Sequence, residues 1–380
     1  MSSNYIISGI GPGKGGVGAL VQSLELRKNN FNYRSLYVKN PSISILSLFK
    51  KRKLVGFFYE LIMFFCSLLI THIRLLFIRN KKIILIYPQY FHTYFLERLI
   101  KNNDVAIYVM DSSFFCIKSY NYLNGKECFN CISSSDNIDK SCTPSPRLWS
   151  KKSAISKLKK LRLLSNDIFF LSQNHHQSIL LQKVFGEGIR GDIVGMDTGE
   201  FSQQLVNSKT SKFDIVFHGG SVDAKGALYV IEIAKHLSQY NFLIPFTSSE
   251  IICNLPNVHF IDCSWSTGLM DYVLNAKLVM CPSIWSSPIE GALLKSIAYN
   301  GNVAVYDNKF GFQNEIDPKA IIRLSDNMIV SAEIVDKFIS SNNSNFIFAQ
   351  KWLKSYCLAL DDKKIFNWGM ENNFTRDPLK

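Results

Sequence analysis

Short runs rich in Ile, Val, Leu and Phe recur along the chain, separated by stretches whose apolar positions repeat every three to four residues. Tyr5–Gly9, Ile83–Tyr87, Val105–Met110 and Ile168–Ser172 are apolar nearly throughout. That pattern reads as parallel strands buried on both faces rather than as half-exposed alternating strands. Amphipathic segments such as Val17–Arg27 and Tyr94–Asn102 lie between them and read as helices. The rhythm resumes with strands at Asp214–His218, Asn241–Phe246, Val258–Asp262, Leu278–Pro282 and Asn302–Asp307. Helices are expected at Ala227–Leu237, Thr267–Asn275 and Gly291–Tyr299. Alternation of this kind implies right-handed βαβ units and an α/β fold with two doubly wound, Rossmann-like sheets. The polar segment Thr198–Phe213 is the natural linker. The expected domains are 1–198, carrying a cysteine-containing loop at 112–146, and 199–360, followed by a tail at 361–380 that packs back on the first domain. The 380 residues suit two domains of roughly 100–200 residues each.

Charge changes this picture by its location. Lysine and arginine number 43 against 30 acidic residues. From Leu26 to Asn103 there are 14 basic residues and only two acidic ones, Glu60 and Glu97, so nearly all the net charge of +13 belongs to one segment. Within it the apolar run Leu54–Ile70 is preceded by Lys50, Lys51, Arg52 and Lys53 and followed by Arg74, Arg79, Lys81 and Lys82. A helix lying in a membrane interface, with its basic flanks toward anionic head groups, fits best. The alternatives are a helix buried against a sheet and a true span, the latter opposed by Glu60 within the run. Met1–Tyr5 lacks a basic leader and Ile6–Ile10 is too short for a signal peptide, so the expected location is the cytoplasmic face of a membrane. Nucleic acid is disfavoured as a partner, because no zinc-finger, RNP or helix-turn-helix pattern occurs.

Three motifs carry candidate chemistry. After the first strand comes Gly9-Ile10-Gly11-Pro12-Gly13-Lys14-Gly15-Gly16-Val17-Gly18-Ala19-Leu20. It looks like a phosphate loop, but Ala19 and Leu20 stand where a lysine and a hydroxyl would be needed, which excludes a nucleotide triphosphatase. There remains either a glycine turn that lets a ligand approach the helix end, at Gly15 and Gly16, or a tight turn without a ligand. The second motif, Phe217-His218-Gly219-Gly220-Ser221-Val222-Asp223-Ala224-Lys225-Gly226, places a lysine after a strand and a glycine turn, where it can serve an anionic diphosphate. The third, Cys281-Pro282-Ser283-Ile284-Trp285-Ser286-Ser287-Pro288-Ile289-Glu290-Gly291-Ala292, is a strand end, a polar loop and a helix start. There Glu290 can accept sugar hydroxyls, or act as a helix-start carboxylate only.

At these residues the chain resembles the retaining glycosyltransferases of group 1 (family 4), which have the GT-B fold of two Rossmann-like domains facing a central cleft. The likeness includes Gly195-Met196-Asp197-Thr198-Gly199-Glu200-Phe201 at the linker and extends over nearly the whole chain. It implies a nucleoside-diphosphate sugar bound in the C-terminal domain by Gly219, Gly220, Lys225, Ser287, Glu290, Gly291 and Ala292. Lys225, Glu290 and Asp111 would be catalytic, with no catalytic metal. The acceptor would lie in the N-terminal domain near Gly15, Gly16, His92 and His175. Three departures stand out. The arginine usual five residues before the lysine is Gly220, and the paired glutamates fall at Ser287 and Lys295. The histidine usual after an N-terminal-domain strand is replaced by Met110-Asp111. The variant loop around Trp285 looks like that of surface-polysaccharide transferases, which implies a lipid-linked saccharide acceptor in lipopolysaccharide O-antigen or capsule synthesis. The alternatives are a sugar-nucleotide epimerase of the same fold and an inactive membrane-associated scaffold.

Finally, Cys116, Cys128, Cys131 and Cys142 fall within 27 residues, with one CxxC pair. Four thiolates so spaced can hold a structural zinc that pins a polar loop; thiols without metal and disulfides are the alternatives.

Overall fold

The computed structural model describes residues 4–13, 15–38, 54–196, 212–248 and 251–369. Lys14, the Lys50–Lys53 cluster and most of the expected linker lie outside them. The chain divides into two units, one of Met1–Ser119, Asn130–Asp197 and Asp361–Lys380, the other of Tyr120–Phe129 and Thr198–Leu360.

The first unit runs β1 (Asn4–Ser8), α1 (Gly16–Arg27), β2 (Tyr33–Tyr37), α2 (Leu54–Leu75), β3 (Lys82–Ile86), α3 (Thr93–Lys101) and β4 (Asp104–Tyr108). The chain then makes the hairpin β5 (Tyr122–Leu123) and β6 (Lys126–Glu127), which belongs to the second unit. The first unit resumes with α4 (Lys151–Leu163), β7 (Ile168–Ser172), α5 (His175–Phe185) and β8 (Arg190–Ile193). Its six strands lie in the order β2-β1-β3-β4-β7-β8, every pair parallel. The central strands are the apolar runs, and every residue of β7 is buried. The edge strands β2 and β8 were not expected. Tyr33-Arg34-Ser35-Leu36-Tyr37 and Arg190-Gly191-Asp192-Ile193 are polar because an edge strand need not bury both faces.

Most of α2 is uncovered. It has a mean hydropathy of 2.1 over its most apolar 18 residues, yet only 11% of that window is buried. Leu68, Thr71, His72 and Leu75, in the last two turns, are its buried residues. His72 fixes that end: its Nδ1 bonds the Leu68 carbonyl at 2.7 Å and its Nε2 accepts the His92 backbone N–H at 3.0 Å. The reading of this run as a helix buried against a sheet is therefore wrong.

The second unit continues with β9 (Ile215–Phe217), α6 (Ala227–Ala234), β10 (Phe242–Ile244), β11 (Val258–Phe260), α7 (Leu269–Asn275) and β12 (Leu278–Met280). Then come α8 (Gly291–Tyr299), β13 (Val303–Tyr306), β14 (Ile322–Leu324), α9 (Met328–Ser340) and α10 (Phe346–Ala359). The sheet order is β11-β10-β9-β12-β13-β14, again wholly parallel. Counted within the unit that is 3-2-1-4-5-6, and the order reverses between β9 and β12, the switch point where such sheets bind ligands. Ile215, Phe217, Val230, Ile233, Leu278 and Met280 sit in its core.

One boundary differs from expectation. Residues 120–129, expected within the first domain, join the second unit. The CxxC pair is thereby split, with Cys128 in the second unit and Cys131 in the first. The last described helix, α11 (Asp362–Phe366), belongs to the first unit, where Phe366 stacks on Phe31 at 4.3 Å and its carbonyl accepts from the Tyr33 hydroxyl at 2.9 Å.

Candidate functional site

The residues following β9 and β12 converge at the switch point of the second sheet. The loop after β9 ends in Lys225 and Gly226. Gly226 has φ +86°, and a Cβ there would run into the Pro282 carbonyl oxygen, so glycine is required on both counts. The Ile284 N–H donates to the Ala224 carbonyl at 2.8 Å, joining the two loops directly. Lys225 donates to Glu290 Oε1, which also accepts from the Ser283 hydroxyl and the Ser287 hydroxyl, each at 2.6 Å. No described residue donates to the second carboxylate oxygen, Oε2. Burial opposes ionisation of Glu290, but the Lys225 ammonium and the two serine hydroxyls outweigh it and hold the carboxyl below its ordinary range. The Lys225 ammonium lies 5.0 Å from the Trp285 ring centroid and 5.6 Å from that of Tyr120.

The loop from 283 to 287 is itself clamped. Asn308 Nδ2 donates to the carbonyls of Ser283 and Trp285, each at 2.9 Å. From the hairpin, Asn121, which is wholly buried, donates to Ser286 Oγ at 2.8 Å and accepts the Ser286 N–H at 3.0 Å. Glu127 accepts from the Ser286 hydroxyl at 2.8 Å and from the Lys309 N–H at 2.7 Å. The Tyr120 ring meets Trp285 edge-on at 4.6 Å. None of Tyr120, Asn121, Glu127 or Asn308 was legible as a site residue, because Asn121 and Ser286 are 165 positions apart.

Beside this cluster His218 is stacked on Trp265, 5.2 Å between centroids and 7° between planes, while its Nδ1 bonds Ser296 Oγ at 2.8 Å. Burial pushes the His218 imidazole down to about 4, so it is neutral at physiological pH.

Of the residues singled out in the sequence, Lys225, Ser287 and Glu290 are brought into hydrogen-bonded contact. Gly219 is half-buried and Gly220 exposed on the loop after β9, and Gly291 and Ala292, half-buried, open α8. Asp111 belongs to the first unit, after β4, and accepts from the Ser113 N–H at 2.9 Å and from Gln89 Nε2 at 3.1 Å. Burial raises its carboxyl to about 6. Gln89 follows β3; its backbone carbonyl accepts from Trp149 Nε1 and from Lys157 Nζ, each at 2.8 Å. Gly15 caps α1, and neither it nor Gly16 has an atom within 4 Å of where a Cβ would sit, so a side chain there would meet open space. His92 is exposed and accepts the Tyr94 N–H at 3.3 Å, which makes it the cap of α3. His175 is exposed on the first turn of α5.

The four cysteines are not gathered into a zinc site. Among the described residues no group of three or more His, Cys, Asp or Glu side chains stands in a metal-holding arrangement. Cys116, Cys131 and Cys142 are buried and Cys128 is half-buried. A cavity of about 400 Å³ in the first unit, beside Lys82, Asp104 and Arg190, lies at the amino ends of its strands. Ligands of open α/β sheets bind at the carboxyl ends, so it is set aside as the site.

Two Rossmann-like domains with parallel six-stranded sheets define the GT-B fold class, as expected from the sequence. No model of a known protein family and no curated protein matches the chain in sequence. Solved structures do match. Sucrose-phosphate synthase from Thermosynechococcus elongatus has a TM-score of 0.58 at 10% identity, over 96% of each chain. WaaG, a glycosyltransferase involved in lipopolysaccharide biosynthesis, has a TM-score of 0.54 at 13% identity, over 96% of this chain and 97% of its own. The pneumococcal O-GlcNAc transferase GtfA, in complex with UDP and GlcNAc, has a TM-score of 0.50 at 14% identity, over 76% of this chain. The chain spans only 57% of GtfA and 53% of TarM. At such identities the likeness is one of fold.

Proposed function

We propose that this protein is a glycosyltransferase that moves a sugar from a nucleoside-diphosphate donor to a lipid-linked saccharide. The observation that carries the proposal is Glu290 at the switch point, its Oε1 held by Lys225, Ser283 and Ser287; its Oε2, to which no described residue donates, would take a sugar hydroxyl. The solved structures of this fold reported above, among them a glycosyltransferase of lipopolysaccharide biosynthesis, an O-GlcNAc transferase and a sucrose-phosphate synthase, support the same reading. The bond between the anomeric carbon and the diphosphate oxygen breaks, and the acceptor oxygen takes its place on the same face. The acceptor proton leaves with the diphosphate. Fixed dipoles and a cation at the carboxyl ends of the strands would stabilise the departing charge, without a catalytic metal. Asp111 and the glycine loop at Gly15 and Gly16 would serve the acceptor in the first unit. The exposed apolar length of α2 would hold the protein to the cytoplasmic face of an anionic membrane, where a lipid-linked acceptor of surface-polysaccharide synthesis is found.

The test is a thermal-shift screen of nucleoside diphosphates and their sugars, followed by donor hydrolysis without acceptor. One nucleotide should raise the melting temperature, since a ligand stabilises the state that binds it. Its sugar should then be cleaved slowly to free nucleoside diphosphate. Absence of any stabilisation by all the nucleotides would overturn the proposal.

A further inference from the structure

The transferase reading needs a cation for a doubly charged leaving group, and the structure restricts where it can come from. Lys225 is already neutralised by Glu290, with side-chain exposures of 19% and 10%. Arg323, in β14, is paired with Asp307, the residue after β13, at 2.9 Å. Lys309 is exposed. Lys295, by contrast, is half-buried on the second turn of α8 and has no carboxylate partner among the described residues.

Its surroundings are built rather than incidental. The Lys295 ammonium lies 5.1 Å from the Trp265 ring centroid. Trp265 itself is held by His218 on a parallel plane and by the edge of Tyr299 at 5.1 Å. The turn that presents it is closed by reciprocal bonds between Ser264 and Thr267. His218 is the first residue after β9, and Trp265 follows β11, so the group stands at the carboxyl ends of the strands. An ammonium over an indole, beside a neutral histidine and half out of water, keeps its charge with no counter-ion of its own. Burial lowers the Lys295 ammonium from its ordinary value, which is the cost of that arrangement, and an incoming anion would offset it.

We infer that Lys295, positioned by Trp265, is the residue that receives the anionic nucleoside-diphosphate part of the donor, while the Lys225–Glu290 pair serves the sugar. This rests on the transferase reading. It also gives a role to the lysine found where the resembled family carries a glutamate.

The experiment titrates uridine, guanosine, adenosine and cytidine diphosphates into the full chain, read by tryptophan fluorescence and by calorimetry. The wild type should bind one of them with a change in emission that Trp265→Phe removes. Lys295→Ala and Lys295→Gln should weaken that binding about tenfold or more and flatten its salt dependence, and Lys295→Arg should stay within about threefold. Lys309→Ala should bind as the wild type does. Circular dichroism establishes that each variant is folded. Wild-type binding that Lys295→Ala and Lys295→Gln leave unchanged would overturn the role of Lys295 and leave the transferase reading standing. A wild type that binds none of the four would overturn both.

Discussion

At the scale of single residues, the site is governed by pairing that the sequence does not display. Lys225 and Glu290 looked like two separate tools, a cation for phosphate and a carboxylate for hydroxyls. The fold joins them through one carboxylate oxygen that also takes two serine hydroxyls. Removing one member of a buried pair strands the other, whereas removing both can be nearly neutral. Glu290→Ala is accordingly expected to cost about 3 kcal/mol in urea unfolding, and Lys225→Met combined with Glu290→Leu much less. Costs that simply add across the double variant would show that the pair is not coupled. Lys225→Ala should also lose most turnover. His92 teaches the opposite lesson. Its exposed ring caps α3, and helix capping accounts for its place after β3 without any ligand.

At the scale of elements, α2 and the hairpin are the two features that depart from an ordinary doubly wound domain. Val55, Phe58, Tyr59, Ile62, Phe65 and Leu69 are all exposed on α2. A soluble helix of this length would bury such a set, because each large apolar side chain left in water forgoes about 1.5–3 kcal/mol. Replacing Phe58, Ile62, Phe65 and Leu69 by serine should leave the near-ultraviolet dichroism intact, since the buried residues of the helix are in its last two turns. The same variant should lose sedimentation with phosphatidylglycerol vesicles. Binding equal to that of the wild type would remove the helix from the membrane account. The hairpin shows why local reading fails: Asn121 and Glu127 are unremarkable polar residues until β5 and β6 carry them to the loop after β12.

At the scale of the whole molecule, stability should depend on pH through two buried groups of the first unit. Asp111 is raised to about 6, so its folded form binds protons more tightly than the unfolded chain. Stability contributed there is present at low pH and is lost as pH rises from about 4 to about 6, by up to ~3 kcal/mol. Lys157, buried with the Gln89 carbonyl as its acceptor among the described residues, is lowered to about 7. The cost of burying its ammonium persists below about pH 7 and fades as pH rises toward 10. The two together place a stability minimum between pH 6 and 7. Asp111→Asn should stabilise the protein at pH 7.5 and make no difference at pH 4, while Lys157→Met should help at pH 6 and not at pH 10. Melting temperatures across that range check both signs.

By itself the sequence determined the fold class and most of the strands. Buried parallel strands must be continuously apolar, and that signature is local. It also singled out Lys225, Ser287 and Glu290, which the fold brings together, because loops that meet at a switch point follow strand ends and strand ends are readable in one dimension. Only the tertiary structure decided the rest. It showed that α2 is largely uncovered, that no group of His, Cys, Asp or Glu among the described residues stands in a metal-holding arrangement, and that a hairpin from the first half of the chain completes the loop around Glu290. Each of these depends on which distant segments pack together, and that is set by the burial of whole elements rather than by any local pattern.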